Sequence, residues 1–291
     1  MLAQSDLIHM FNGIPFSTRV PRELLQSLDS FEAREDDVLL VSYPKSGTHW
    51  LTEILKHLYH SQQDENGGGS ATLTSPIEFG DPSKFEELKN LLSLRLIPTH
   101  LNYKMLPVQF KAKKCKMIYI IRNPKDTAVS LYHYYRENPN LPKIEKWATF
   151  VEMFLKGEVV CGSWWDHILS WEEHKNDENV LILYYESMKK DLTKSIEQIS
   201  NFLDVNVTID QIREISRRSS FNEMKEEAQR ENPALDHTVC VLTSNRGLIF
   251  RKGTVGDWKN HFTSEQNKLF EEQFGRRMNS SELAKSIEYE S

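Results

Sequence analysis

VLLVSYPKSGTHWLTEIL, residues Val38 to Leu55, holds a strand, a turn and the start of a helix. Val38 to Val41 is a short run of valine and leucine that suits a strand buried on both faces, as in a parallel sheet. A polar turn follows, Tyr43-Pro44-Lys45-Ser46-Gly47-Thr48. Trp50, Leu51, Ile54, Leu55, Leu58 and Tyr59 then recur at helical spacing and put an apolar stripe on one side. In that order the three pieces form an anion site. The first helical N–H groups have no partner within the helix, and the helix dipole favours negative charge there. Lys45 adds a full positive charge. The usual phosphate-loop order, G-x-x-x-x-G-K-[ST], is absent, because the lysine precedes the glycine. Taken alone, Lys45 is also what a solvated turn between strand and helix carries.

The same pattern repeats outward from this stretch. Lys116 to Arg122, KMIYIIR, is a second strand; Asn123-Pro124 follows, and Lys125 to Tyr135 reads as a helix. Pro124 fits the first helical position, where its missing N–H costs nothing. Arg122 falls at the carboxyl end of its strand, where open α/β sheets bind ligands; Ser130 lies in the helix. Val180 to Tyr185, VLILYY, is a third buried strand, and Leu192, Ile196, Ile199, Phe202 and Leu203 trace a helical face. Lys143 to Lys156, the tryptophan-rich Cys161 to His174, and Thr208 to Ser216 also read as helices. Thr263 and Gln266 form a capping box for a last helix ending near Arg277. Alternating strands and helices predict an α/β fold: one domain, residues 31–280, with a central mainly parallel sheet flanked by helices. Residues 1–30 read as an irregular lead-in packed on or near it, with Arg19, Pro21 and Arg22 breaking any helix, and 281–291 as a tail. Ser61 to Ser75, with Gly67-Gly68-Gly69, reads as an exposed, mobile loop. Leu88 to Leu96 is ambiguous, and Glu223 to Thr243 has no assignable pattern.

Composition narrows the class. The 291 residues are 39% hydrophobic and 27% charged, ordinary for a soluble globular chain. A net charge of −6 argues against a dedicated nucleic-acid binder. No apolar run is long enough to span a bilayer. The first residues, MLAQSDLIHMF, lack the basic and apolar regions of a secretory signal. Three dispersed cysteines, Cys115, Cys161 and Cys240, suit reduced thiols. The expectation is a cytoplasmic protein without membrane or nucleic-acid partners.

Within this acidic chain three turns are cationic: Lys45, Arg122, and Arg251-Lys252 beside Gly253. A ligand with two separated anionic groups would use more than one of them. His100 follows a short apolar segment and can take a proton near neutral pH. No His, Asp or Glu residues cluster at metal-ligand spacing, so no metal is expected.

Together these motifs resemble the cytosolic sulfotransferases. The match is carried by Tyr43 to Trp50, by Thr99-His100-Leu101, by Arg122-Asn123-Pro124-Lys125-Asp126 with Ser130, and by Arg251-Lys252-Gly253 with Gly256-Asp257-Trp258. It runs from about Phe31 to about Met278. The resemblance implies a P-loop-like phosphosulfate turn. It also implies sulfuryl transfer from 3′-phosphoadenosine 5′-phosphosulfate to a hydroxyl or amine of a small, partly apolar acceptor, an alcohol, phenol, sterol or amine. The product would be 3′-phosphoadenosine 5′-phosphate, and no metal is required. By the same resemblance, Lys45, Ser46, Gly47, Thr48, His49 and Trp50 hold the phosphosulfate. Arg122, Ser130, Arg251, Lys252 and Gly253 hold the 3′-phosphate, and Tyr185, Ser219, Phe221 and Met224 the adenine and ribose. His100 is the implied base, and His100, Lys45 and Ser130 form the catalytic set. Phe79, Trp147 and Trp165 are candidates to line the acceptor site.

Three positions depart from the family pattern. Pro98 stands where many members carry a lysine, two residues before the histidine. His49 replaces the usual threonine. Lys259, Thr263 and Lys268 only partly follow the dimer motif, with Ser264 and Lys268 in place of valine and glutamate, so a homodimer stays open. Pro98 motivates an alternative, a weakly active sulfotransferase-like protein that holds the nucleotide or a lipophilic ligand. A nucleotide kinase ranks third, since the phosphate-loop order is missing and no metal-binding acid stands at a matching strand end.

Overall fold

The computed structural model describes residues 5–66, 71–230 and 249–290. A hairpin of β1 (Ile8–Phe11) and β2 (Ile14–Ser17) precedes the main sheet. That sheet contains β3 (Val38–Ser42), β4 (Ala71–Leu73), β5 (Leu94–Thr99), β6 (Lys116–Ile121) and β7 (Val180–Tyr184). Its order is β4-β5-β3-β6-β7, and every pairing is parallel. Successive side chains of a strand point to opposite faces. Val38 and Leu40 accordingly pack into one core, Leu39 and Val41 into the other. Helices cover both faces, which is why β3 is buried at every position.

The helices follow in chain order as α1 (Arg22–Ser27), α2 (Thr48–Asn66), α3 (Lys84–Lys89), α4 (Val108–Ala112), α5 (Pro124–Glu137) and α6 (Trp147–Lys156). After them come α7 (Trp164–Leu169), α8 (Tyr185–Lys190), α9 (Leu192–Leu203), α10 (Ile209–Arg218) and α11 (Phe221–Arg230), with further helices at Ser264–Met278 and Glu282–Lys285. On one face α2 buries Leu51, Ile54, Leu55 and Leu58 completely, each worth roughly 1.5–3 kcal/mol relative to exposure. Helices α8 to α10 complete that core, while α5 to α7 and Ser264–Met278 pack on the other face. From β3 the chain runs to β4 and β5 on one side and then to β6 on the other. This reversal opens a crevice at the carboxyl ends of the strands. The Lys45 turn follows β3, His100 follows β5, Arg122 follows β6 and Tyr185 follows β7.

Pro98 lies inside β5, an interior strand, where a proline would ordinarily remove a ladder bond. It pairs in register with Leu40. The N–H and C=O of one strand residue point the same way. The Pro98 carbonyl accepts from Ile77 N–H (3.0 Å), so its nitrogen also faces that side, past Leu73 where β4 has ended. The missing donor thus falls where no strand needs it.

Several sequence expectations change. Residues 5–30 are not irregular: the hairpin turns at Asn12-Gly13, both at positive φ (49° and 77°), a type of dipeptide that favours tight hairpin turns. Pro21 precedes α1 rather than breaking it, because its fixed φ suits a helix start. Helix α2 runs to Asn66 and β4 spans Ala71–Leu73, so most of the described residues within Ser61 to Ser75 are regular; Gly67-Gly68-Gly69 and Ser70 lie outside the described residues. Lys143 to Lys146 stay outside α6, and Cys161 to His174 splits into α7 and a 3-10 turn at Glu172–His174. Tyr185 opens α8 instead of closing β7. Glu223 to Arg230 belongs to α11, and the rest of that unassigned stretch lies outside the described residues. The capping box at Thr263 and Gln266 is present.

Candidate active site

An open cavity lies along the carboxyl ends of β3, β5 and β6. Of the site residues expected from sequence, Lys45, Gly47, Thr48, His49, Trp50, His100, Arg122, Ser130, Tyr185, Phe221, Met224, Arg251, Lys252 and Gly253 line it. Ser46 and Ser219 do not; they are 1% and 0% exposed and sit behind the wall. Phe79 lines the cavity. Trp147 and Trp165 are corrected: Trp147 stacks among Tyr132, Phe150 and Phe262, and Trp165 is fully buried against Trp164 and Phe270. Their apolar rings serve the core, the commoner fate of large aromatics.

The turn after β3 is built for close approach. Gly47 has φ +119°, and a Cβ there would stand 2.8 Å from Ile120 Cδ1. Lys45 itself adopts φ 68°, a left-handed conformation that strains a residue with a side chain by about 1–3 kcal/mol. Its carbonyl accepts a hydrogen bond from Arg122 Nη1 (3.0 Å), which ties the first two cationic turns together. The Lys45 ammonium sits 4.6 Å from the Tyr134 ring centre. Burial, and then the charges of Arg122 and Arg251, lower its pKa to about 8. Lys45 is thus both desolvated and crowded by two guanidinium groups, an arrangement that an anion would relieve.

Arg122 lies over the Tyr185 ring at 4.4 Å. Trp50 meets Tyr185 edge-on at 5.2 Å and donates its indole N–H to the Ser219 carbonyl (2.8 Å). An aromatic wall thus stands beside the cations. The third cationic turn is held by two aspartates. Asp257 pairs with Arg251 and Lys252, each at 2.7 Å. Burial raises the Asp257 pKa, but its bonds from Lys252, Asn260 and Arg251 outweigh this and hold the group well below the usual carboxylate range. Asp126 accepts from Gly256 N–H (2.7 Å) and Trp258 N–H (2.9 Å), so the start of α5 positions this turn. Ser46 Oγ, Ser219 Oγ, Arg122 Nε and Arg251 Nε are buried without a protein partner among the described residues. Buried polar groups left so ask for a ligand or water.

Gly253 packs closest of all. It has φ +65°, and an added Cβ would fall 2.2 Å from Phe221 Cδ2. Gly253→Ala is expected to displace either this turn or Phe221. Nucleotide affinity measured by calorimetry should fall about tenfold or more, since a shift of this size is felt throughout a preorganised site.

His100 stands across from these cations. Its Nδ1 lies 2.9 Å from the Ser42 carbonyl. A carbonyl only accepts, so Nδ1 carries the hydrogen and the neutral ring keeps its lone pair on Nε2. Ser42 Oγ also bonds Thr48 Oγ1, which couples the end of β3 to the start of α2. His167 packs behind; burial, and then the charge of His100, push its pKa down to about 3. Beyond His100 the cavity is mostly apolar, with Phe16, Val20, Phe79, Pro98, Leu131 and Leu141 among its lining. The N-terminal hairpin supplies Phe16, docked through Cys161 N–H to the Pro15 carbonyl (2.9 Å). Sequence reasoning missed the supports Asp126, Glu78 and Lys84 and the wall residue Tyr134; only Asp126 lay in a quoted motif. Among the described residues no group of three or more His, Cys, Asp or Glu is placed to hold a metal ion. Among them, too, no helix is long and apolar enough to cross a membrane.

Comparison with known proteins adds a second line. Residues 35–282 match the sulfotransferase domain family. Mouse (Mus musculus) sulfotransferase 6B1 is 38% identical over 288 residues, covering 98% of this chain and 91% of its own. The amine sulfotransferase of Oryctolagus cuniculus is 38% identical over 269 residues, 92% of this chain and 89% of its own. The crystal structure of mouse sulfotransferase SULT7A1 complexed with PAP superposes with a TM-score of 0.88 at 56% identity, covering 96% of this chain and 98% of that one.

Proposed function

The chain belongs to the sulfotransferase family, so sulfuryl transfer is its chemistry, and we propose how its residues divide that work. The donor is 3′-phosphoadenosine 5′-phosphosulfate, which supplies an activated sulfuryl group on a phosphate leaving group. The observation that carries this reading is the convergence of Lys45, Arg122 and Arg251 on one cavity that also holds His100. Arg122 Nε and Arg251 Nε, buried without a protein partner among the described residues, suit the oxygens of an anionic group. A relative crystallised with PAP supports the same donor.

The Lys45–Trp50 turn takes the phosphosulfate at the start of α2. Arg122, Ser130 and the Arg251–Gly253 turn take the 3′-phosphate, and Trp50, Tyr185, Phe221 and Met224 enclose the base and sugar. Lys45, with the first N–H groups of α2, meets the negative charge that grows on the bridging oxygen as the sulfuryl group departs. His100 Nε2 removes the proton of the attacking hydroxyl or amine. The apolar wall beyond His100 selects a small, largely apolar alcohol, phenol, sterol or amine. Much of the acceleration comes from holding the two reactants in line. The test is incubation with sulfur-labelled donor and a panel of phenols, sterols and amines; label should pass to at least one acceptor class. Tight binding of the desulfonated nucleotide without any transfer would favour a nucleotide-holding protein instead.

Pro98 gives that second reading its footing, because it lines the cavity where many relatives carry a lysine. Pro98→Lys is expected to raise kcat about tenfold or more, corresponding to the roughly 1.5–3 kcal/mol of one added charge-assisted contact. An unchanged kcat would show that the missing charge does not limit the rate.

A further inference from the structure

Glu78 is fully buried and has no ion pair among the described residues. Leaving a carboxylate inside a protein is costly unless hydrogen bonds satisfy it. Here both oxygens are satisfied by the two residues at the end of β5. Oε2 accepts from Thr99 Oγ1 (2.9 Å), and Oε1 accepts from the His100 main-chain N–H (2.8 Å). The segment carrying Glu78 runs beside β5 after β4 has ended. Ile77 N–H donates to the Pro98 carbonyl (3.0 Å). Lys84 then clamps the segment from outside: its ammonium donates to the Pro76 (2.5 Å) and Phe79 (2.6 Å) carbonyls, on either side of Glu78.

His100 is consequently held at two points. Its ring is tied through Nδ1 to β3, and its main chain is tied through N–H to Glu78. Neither tie uses Nε2. A charged acceptor makes the main-chain bond stronger than a neutral one would. Pro98 cannot donate to this segment, so the tether rests on Ile77 and Glu78 alone at this end of the strand. We propose that Glu78 is a positioning residue for the transfer reaction: it fixes the main chain of His100 so that Nε2 meets the acceptor proton. The proposal rests on the reading of His100 as the base, and it extends to Thr99 as the second member of the clamp.

The test compares Glu78→Gln, Thr99→Val and Thr99→Ser with His100→Ala in the full chain. Glutamine keeps the size of Glu78 but offers only one acceptor oxygen, so one of the two donors loses its partner. Glu78→Gln is expected to lower kcat about ten- to a hundredfold, as small misplacements of a catalytic group do. Acceptor KM and affinity for 3′-phosphoadenosine 5′-phosphate should stay near wild type, and the melting temperature should fall by only a few degrees, the cost of one unpaired buried donor. The His100 amide proton should move upfield in the 1H–15N spectrum as its charged acceptor is lost. Thr99→Val should lower kcat in the same sense, and Thr99→Ser, which keeps the hydroxyl, should recover most of that loss. Unchanged kcat in Glu78→Gln while His100→Ala stops transfer overturns the proposal. So does a kcat loss matched by equal losses in nucleotide affinity and melting temperature, which marks a general structural role. Full transfer by His100→Ala overturns the base reading itself, a result distinct from either of these.

Discussion

His100→Ala binds the nucleotide as wild type does and transfers almost no sulfuryl group. The expected loss in kcat is about 100- to 10,000-fold, the range for removing a positioned general base. Three features separate this loss from a folding defect. The substitution removes only the ring, so the main-chain N–H still meets Glu78. His100 is part-exposed at the cavity rim rather than packed in either core. The cationic turns are held by Arg122, Asp126 and Asp257, none of which depends on the imidazole. Calorimetry with 3′-phosphoadenosine 5′-phosphate should therefore give an unchanged affinity, while single-turnover assays with labelled donor show the chemical step slowed. Because the Ser42 carbonyl already occupies the Nδ1 hydrogen, a replacement must present a lone pair where Nε2 stands. Glutamine places an amide there and should not rescue the rate. Retained transfer at neutral pH would mean that another group takes the proton.

The parts of this site that could be read without coordinates are those with a local pattern. Val38 to Leu55 announces itself because an apolar run, a glycine turn and a helical stripe are contiguous, and each constrains the next. Arg122 is legible for the same reason, at the carboxyl end of a buried strand, whereas Tyr185 reads as the last residue of its strand and its place at the base follows only from the family resemblance. The hairpin at Ile8–Ser17 escaped because its strands have four residues each, too few for an alternating pattern to stand out. Its one strong signal is Asn12-Gly13, which the helix-breaking reading of Arg19, Pro21 and Arg22 leaves out. Glu78 and Lys84 were invisible for a different reason. Their roles depend on partners brought together by the sheet, with Glu78 reaching a residue 22 positions away, and a lone glutamate or lysine in sequence reads as surface. Trp147 and Trp165 erred the other way, since aromatic residues mark burial without saying whether a ligand or the core does the burying. Pro98 shows how topology overrides a local rule: a proline fits an interior strand once its neighbour has ended.

Lys45 joins these strands of evidence, and its removal has the second large effect. Lys45→Ala is expected to reduce kcat/KM by about 100- to 1,000-fold, as for other preorganised donors aimed at developing charge. Unlike His100→Ala it should also weaken nucleotide binding, because its charge meets the donor in the ground state as well as in the transition state. Lys45→Gly separates charge from strain. Glycine adopts φ near 68° freely, so that variant should melt higher than Lys45→Ala by about 1 kcal/mol of stability. It should be equally inactive, since neither variant supplies the ammonium. The charge itself leaves a thermodynamic trace. In the free protein burial, with Arg122 and Arg251, holds the Lys45 pKa near 8 rather than 10.5. At pH 8 the side chain is then about half charged, and binding an anion returns it to full charge. Titrating 3′-phosphoadenosine 5′-phosphate into the protein at pH 8, in buffers of different ionisation enthalpy, should therefore show uptake of roughly half a proton. The uptake should fade at pH 6.5, where the ammonium is already protonated, and vanish in Lys45→Ala. Equal uptake in wild type and variant would place the titrating group elsewhere, and loss of rate without loss of affinity would confine Lys45 to the transition state.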